Sequence, residues 1–503
     1  GNDTIGVAGL TAADSIDGGA GTDFAAFANT DVPGSNVTNV INFEGVQLNS
    51  VGAATVGVNV DNFGGSTINR FKIGTGADDV SGITGGTVNI TNGTTGSTIN
   101  VFSDASDTGN VAFALNTDDT ADVLNFNLVN VDTTTAGQNH GLTTLTATGI
   151  ETLNIDASNK VKVGTTYPAD TLSIATLTAT AATTLKITGD SNFALGATAS
   201  TLTALTSVDA SAMTKDVDLG TGTVNFSTAA AGASFTTGSG NDSLYLDVGA
   251  GTLGSIAMGG SSAVTSAATD GDTLGLDSAT GTGLTIVDLS STTNQISQLL
   301  GGANAAAQTG IENIDLSGFA NGAASTTITG SAEANIILGG AGVDTINAGG
   351  GNDVITGGGG DDVINVGAGS DTVIFSATAV ANGVDTITGF VNGTDKINVD
   401  AFGAATTLTT VTGIQTNTVD NVYFLGGQAT GAADSIAASV TALTAAGTWN
   451  DAAVTSYIII ADDNSSAVYS YLGDAAANSF TATEFTLMGT IDAAITAGDV
   501  LFA

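Results

Sequence analysis

Gly339-Gly340-Ala341-Gly342-Val343-Asp344-Thr345-Ile346-Asn347 is followed without a break by Ala348-Gly349-Gly350-Gly351-Asn352-Asp353-Val354-Ile355-Thr356. Gly357-Gly358-Gly359-Gly360-Asp361-Asp362-Val363-Ile364-Asn365 and Val366-Gly367-Ala368-Gly369-Ser370-Asp371-Thr372-Val373-Ile374 continue the run. The acids Asp344, Asp353, Asp362 and Asp371 are nine residues apart, and so are the apolar residues Ile346, Ile355, Ile364 and Val373. A short alternating stretch with an apolar centre reads as a strand that turns that centre inward. The glycine-rich half must then bend sharply, and glycine at positive φ does so without a Cβ clash. A low-complexity linker would keep neither the acid nor the isoleucine in phase.

The pattern G-G-x-G-x-D-x-U-x, with U apolar, resembles the nonapeptide repeat of the RTX proteins exported by type I secretion. The resemblance implies a parallel β-roll that binds calcium in its turns. Two nine-residue units then make one coil, and units two apart stack at the strand spacing of about 4.8 Å. Asp344 would lie against Asp362, and Asp353 against Asp371. Carboxylate and backbone carbonyl oxygens between stacked turns are the donor set of a Ca²⁺ site. Candidate metal-site residues are therefore Gly340, Gly342, Asp344, Gly349, Gly351, Asp353, Gly358, Gly360, Asp362, Gly367, Gly369 and Asp371. Without the cation the acids of each edge repel, and glycine-rich loops are costly to order. Folding is expected to depend on several calcium ions.

Degenerate copies lie outward from this block. Gly1-Asn2-Asp3-Thr4-Ile5 is half a unit, and Gly18-Gly19-Ala20-Gly21-Thr22-Asp23 is a good turn followed by a weak inward residue, Ala25. Gly74 to Val80 contains Asp78, and Gly238 to Leu244 contains Asp242. Asp385 and Asp395 close two further half-units, and Gly330 to Leu338 keeps the phase with Asn335 in place of the acid. Each isolated acid is either a metal ligand or part of an ordinary Asp–Gly turn. Because residue 1 falls inside a pattern, an upstream part of the natural protein is expected.

Between the copies, near 140–330, short Thr- and Val/Ile/Leu-rich pieces alternate. They include Leu142–Thr148, Leu153–Ile155, Leu172–Ile174, Leu185–Ile187, Leu202–Leu205, Val217–Leu219, Val224–Phe226 and Leu244–Leu246. One phrase repeats: Thr148-Gly149-Ile150-Glu151-Thr152-Leu153-Asn154-Ile155-Asp156 and Thr309-Gly310-Ile311-Glu312-Asn313-Ile314-Asp315-Leu316-Ser317, echoed by Phe43-Glu44-Gly45-Val46. Helices are predicted only at Asp434–Ala446, with Gly447 as its stop, and over Ser291–Leu300. The expected class is all-β: a right-handed parallel β-solenoid with RTX β-roll segments and few short helices. Residues 1–139 read as solenoid with degenerate turns and 140–329 as a longer-coil solenoid. Residues 330–400 read as the calcium roll, and 401–503 as a C-terminal cap and secretion region.

Charge narrows the function. The chain has 503 residues, with 7 Lys plus Arg against 48 Asp plus Glu, for a net charge of −41. Seven scattered cations cannot build a nucleic-acid surface. The absence of Cys excludes disulfides and thiolate metal sites. No run of 18 apolar residues exists to span a membrane as a helix. The acids are nearly all Asp, the exceptions being Glu44, Glu151, Glu312, Glu333 and Glu484; Asp suits turns and hard cations, or simply a solvated surface. His140, in Gln138-Asn139-His140-Gly141, reads as a surface residue rather than a catalytic one. Arg70 with Lys72 and Lys160 with Lys162 read as decoration on strand faces. No enzymatic activity is expected.

The phrases at Ile150–Asp156 and Ile311–Ser317, with Leu205-Thr206-Ser207-Val208-Asp209-Ala210-Ser211, resemble the long RTX surface-layer (S-layer) proteins of Gram-negative bacteria. That resemblance implies type I secretion, calcium-dependent folding outside the cell, and self-assembly into a two-dimensional lattice on the cell surface. It also implies anchoring to lipopolysaccharide through a region outside this chain. A calcium-dependent adhesin or biofilm-matrix protein is the alternative; a polysaccharide-acting enzyme is a third reading.

Overall fold

A computed structural model describes residues 1–8, 10–11, 14–28, 32–34, 37–74, 83–103, 109–131, 139–159, 170–196, 200–220, 232–249, 253–260, 271–375, 382–399, 408–410, 415–416, 422–426, 428, 435–446, 449–450, 455–472 and 482–501. The chain divides into two compact units, Gly1–Val248 with Leu253–Ser262, and Gly249–Thr252 with Ala263–Ala503.

The first unit is a parallel β-solenoid whose chain alternates between two sheets. One sheet stacks Thr4–Val7, Phe24–Phe27, Gly45–Leu48, Arg70–Ile73, Ser97–Ser103, Val123–Asn130, Thr152–Asn159, Thr184–Gly189, Ser207–Asp209, Ser234–Thr236 and Ile256–Ala257, each parallel to the next. The other stacks Thr55–Asn59, Thr87–Gly93, Asn110–Leu115, Asn139–Thr148, Thr171–Thr178, Asn192–Leu195, Val217–Leu219 and Ser243–Asp247. Period-two alternation turns one residue in two inward. The register then aligns Ile5, Ala25, Val46, Phe71, Ile99, Phe126, Ile155 and Ile187 in one ladder. Ala25, small as it is, holds its inward place and is fully buried. Each large apolar member contributes about 1.5–3 kcal/mol of burial. Outward positions carry Asn pairs, such as Asn154 donating to Asn125 and Asn127 to Asn100, both at 2.9 Å. Lys72 reaches from its strand over the Phe24 ring, 3.9 Å from the centroid.

Two expectations are corrected in this unit. His140 is not on the surface: it is fully buried in strand Asn139–Thr148, where it aligns with inward Leu172, and its Nε2 lies 3.9 Å from Asp170. Leu202–Leu205 is a turn rather than a strand. Leu205 N–H bonds back to Leu202 O, and only Thr201 bridges to the neighbouring coil. Val224–Phe226 lies outside the described residues.

The second unit repeats the principle, with coils of 18 residues through the nine-residue repeat. One stack runs Thr273–Asp277, Asn313–Gly318, Ile336–Leu338, Val354–Thr356, Thr372–Ile374, Lys396–Asn398 and Val500–Leu501. The facing stack runs Thr285–Asp288, Thr326–Thr329, Thr345–Asn347, Val363–Asn365, Asp385–Thr388 and Phe485–Ile491. Ile337, Ile355, Val373 and Ile397 form one buried ladder, and Ile328, Ile346, Ile364 and Ile387 the other.

The roll ends on residues from the C-terminal part of the chain. Phe485–Ile491 pairs with the roll on one side and antiparallel with Ser466–Leu472 on the other, and that strand pairs with Thr455–Ala461. Helix Ile436–Ala446 buries Leu443 against this sheet, with Ile436 and Val440 beside it. Gly447 lies outside the described residues. The helix expected over Ser291–Leu300 is instead a hairpin, in which Ile296–Leu299 pairs antiparallel with Thr285–Asp288. Local polar groups account for this. Ser291 Oγ accepts from the Thr293 and Asn294 N–H groups, and the buried Gln295 amide binds Leu289 O and Ile311 O. Such bonds compete with helix formation. Among the described residues no helix is long and apolar enough to cross a membrane.

Candidate metal centre

Each acid of the nine-residue repeat stands immediately before a strand. At that position its carboxylate reaches the main chain one coil earlier. On one edge Thr326 N–H donates to Asp344 Oδ1 at 2.6 Å, Asp344 N–H to Asp362 Oδ1 at 2.8 Å, and Asp362 N–H to Asp385 Oδ1 at 3.2 Å. On the other, Asn335 N–H donates to Asp353 Oδ1 and Asp353 N–H to Asp371 Oδ1, both at 2.8 Å, and Asp371 N–H to Asp395 Oδ1 at 3.0 Å. The rows hold the edge pairs the repeat spacing anticipates, and Asp385 and Asp395 are their last rungs. Coil lengths along them are 18, 18 and 23 residues on one edge, and 18, 18 and 24 on the other. Asn335 stands at the acid's position directly before its strand; its Oδ1 accepts from Ser331 N–H, as Asp344 Oδ2 does from Gly340 N–H, and its Nδ2 donates to Glu312 O.

One oxygen of each acid is thus spoken for. The second oxygens of Asp353, Asp362 and Asp371 are buried, with no hydrogen-bond partner among the described residues. Asp344 Oδ2 instead accepts from Gly340 N–H, Asp385 Oδ2 from Asn382, and Asp395 Oδ2 from Val391 N–H. Burial pushes the carboxyls up, to about 6 for Asp344 and Asp371, about 7 for Asp353 and Asp385, and about 8 for Asp362. Neighbouring acids raise Asp353, Asp362, Asp371 and Asp385 further, while hydrogen bonds from the preceding coil act in the opposite sense. A buried negative group left in this condition is costly unless a cation compensates it.

The turns leave room only for backbone. Gly349, Gly351, Gly358, Gly360, Gly367 and Gly369 take positive φ. Gly340 and Gly342 do not; a Cβ on Gly342 would instead stand 2.0 Å from the Ala324 carbonyl oxygen of the coil before. At Gly360 and Gly369 a Cβ would stand 2.5 and 1.5 Å from the carbonyl oxygens of Gly342 and Gly351. Among the described residues no three Asp, Glu or His side chains converge on one point. A cation here would therefore take most of its oxygens from these closely stacked carbonyls, with one carboxylate oxygen from each neighbouring turn. That donor set suits Ca²⁺, which accepts mixed carbonyl and carboxylate ligands.

The isolated acids divide. Asp3 N–H donates to Asp23 Oδ1 at 2.7 Å, and the fully buried Asp23 keeps a second oxygen with no hydrogen-bond partner among the described residues. Asp242 Oδ1 accepts from Val217 N–H at 2.8 Å, and burial raises its carboxyl. Asp78 lies outside the described residues.

Three Glu residues make the same bond outside the nine-residue phase. Asp23 N–H donates to Glu44 Oε2, Asp122 N–H to Glu151 Oε2 and Asp272 N–H to Glu312 Oε2, each at 2.8 Å. The repeated phrase around Glu151 and Glu312 was the available signal: it marks an acid directly before a strand. A parallel ladder uses the residue before the acid, with Asn2 accepting from Thr22 N–H, Asn352 from Ser370 N–H and Asp361 from Val384 N–H.

The RTX calcium-binding nonapeptide repeat, a family model of four copies, matches residues 7–25, 321–355 and 338–373. The chain carries RTX repeats. The matched stretches contain both central carboxylate rows and Asp23. No curated protein matches the chain. Repeats of this type are typical of secreted, calcium-binding proteins, and the parallel roll they occupy here is the fold their spacing implies.

Proposed function

We propose that this chain is a secreted structural protein that assembles, dependent on calcium, into a two-dimensional surface layer coating a bacterial cell. The observation that carries the reading is the pair of carboxylate rows, in which the buried second oxygens of Asp353, Asp362 and Asp371 support binding of several Ca²⁺ ions. Asp353, Asp362 and Asp371 would supply oxygens to these ions, with Asp23 as a further ligand at its own turn. Calcium supplies the positive charge that lets the buried acids stay ionised; the residues themselves set the coil register. At submicromolar cytosolic calcium the acidic roll would stay open and pass through a type I exporter, and it would close where calcium is millimolar.

The partners in this reading are other copies of the chain, with lipopolysaccharide as the anchor through a region outside it. The role is non-catalytic. A surface of charge −41 repels its own copies, and calcium between subunits turns that repulsion into cohesion. Negative-stain microscopy of the purified protein tests it. Ordered sheets are expected in millimolar calcium and dispersed particles in EGTA. Dispersed particles in both conditions would overturn the lattice reading and favour an adhesin.

A further inference from the structure

The outer face of the second sheet of the first unit carries a cleft of about 370 Å³. Ser173, Ala194, Asp218 and Ser243 form one outward row across it, held in register by four neighbouring strands. Two residues further along, Gly196 and Gly220 directly follow their strands at φ 98° and 87°, so backbone alone forms the floor there. Tyr245 borders that bare strip, and Asn139 closes the far side. The same sheet face carries Thr144, Thr146, Thr176 and Thr178 at outward positions nearby, so the small residues create a true concavity.

The lining has a definite chemistry. It combines one aromatic ring, one carboxylate, a carboxamide and two serine hydroxyls, and no Lys or Arg. Asp218 Oδ1 accepts the Ser243 hydroxyl at 2.6 Å. The carboxylate is open to solvent but walled by the cleft, and burial raises its carboxyl above the ordinary value. Ser173 Oγ donates to His140 O at 3.4 Å, which leaves its lone pairs to accept. An anionic ligand would meet Asp218 with no compensating cation, on a chain already at −41, so phosphates and sugar acids are disfavoured. A neutral sugar is the complementary ligand, because it presents an apolar C–H face beside a rim of hydroxyls. The volume lies at the small end of the roughly 300–1,000 Å³ usual for ligand pockets.

We propose that this cleft binds one neutral sugar residue, with its C–H face on Tyr245 and its hydroxyls bonded to Asp218 and Ser243. The site is separate from the calcium roll and does not rest on assembly. Saturation-transfer NMR on the full chain in calcium tests it. The probes are the methyl glycosides of glucose, galactose, mannose and N-acetylglucosamine, with glucuronic acid as the charged control. At least one neutral probe is expected to bind, with affinity falling about tenfold or more in Tyr245→Ala and in Asp218→Asn. Ala194→Trp, which fills the cleft, should abolish binding, while far-UV CD shows all three variants folded. Absence of transfer to every neutral probe would overturn the proposal. So would transfer that persists unchanged in folded Tyr245→Ala and Asp218→Asn, or glucuronic acid binding as well as the neutral probes.

Discussion

An acid placed just before a strand divides its two oxygens in this fold. One holds the N–H of the preceding coil, and in Asp23, Asp353, Asp362 and Asp371 the other is buried with no hydrogen bond among the described residues. The two roles separate by substitution. Asp362→Asn keeps an oxygen for the Asp344 N–H but removes the buried charge. In EGTA it should therefore stabilise the roll relative to the unsubstituted protein, and in calcium it should shift the folding midpoint to higher calcium, both read by far-UV CD. Glu151 performs the first role alone. Glu151→Ala leaves the Asp122 N–H without its carboxylate and should cost about 1–3 kcal/mol. Glu151→Gln should recover most of that loss, and thermal melts should show the same difference in EGTA as in calcium. The nine-residue phase made the Asp rows legible from sequence, because 18 residues return the chain to the same edge. The Glu rungs fall outside that phase, because their partners lie 21, 29 and 40 residues away in coils of irregular length, and only the repeated phrase around Glu151 and Glu312 marks them.

Among the elements, the roll is where charge and fold meet most directly. Asp344, Asp353, Asp362, Asp371 and Asp385 all have folded values above the ordinary 3.8. The folded roll thus binds protons more tightly than the unfolded chain, so without calcium its stability rises as pH falls. That stability is lost as pH rises through the folded values, from about 6 to about 8. Far-UV CD in EGTA should show more roll at pH 5 than at pH 8.5. In calcium the sense reverses, because protons compete with the cation, and the calcium midpoint should rise on acidification.

The end of the roll belongs to the C-terminal strands. Asp499, directly before Val500–Leu501, lies beyond the last rung, Asp395; its Oδ1 accepts from Lys396 Nζ at 2.8 Å and from Gly393 N–H at 3.0 Å. Burial alone would raise the Asp499 carboxyl, yet the bonds from Lys396, Thr496 and Gly393 bring it below the ordinary value. Helix Ile436–Ala446 was readable from helical spacing. The hairpin at Ser291–Leu300 was not, since its decisive bonds come from the buried Gln295 amide to distant carbonyls. His140 misled in the same way. Its polar neighbours in sequence suggest the surface, but strand alternation turns it inward beside Leu172.

For the whole molecule, the repeated inward ladders account for why an acidic chain folds at all. Apolar stacks run through each unit, while the buried acids of the nine-residue repeat stand in turns just before their strands. Seven cations in 503 residues leave the repulsion between copies to be offset from outside. The proposed assemblies should therefore disperse in EGTA at low ionic strength. Restoring ionic strength with NaCl alone should not rebuild them, since screening weakens repulsion without bridging carboxylates. Light scattering during stepwise addition of calcium or NaCl distinguishes the two.

Calcium-dependent folding requires cations in the stacked turns of 339–374. An anomalous-scattering map from crystals grown in millimolar calcium examines it directly. The account predicts peaks along both edges, beside Asp353 and Asp371 on one and Asp344 and Asp362 on the other. A well-ordered roll with no peak in either row would contradict it.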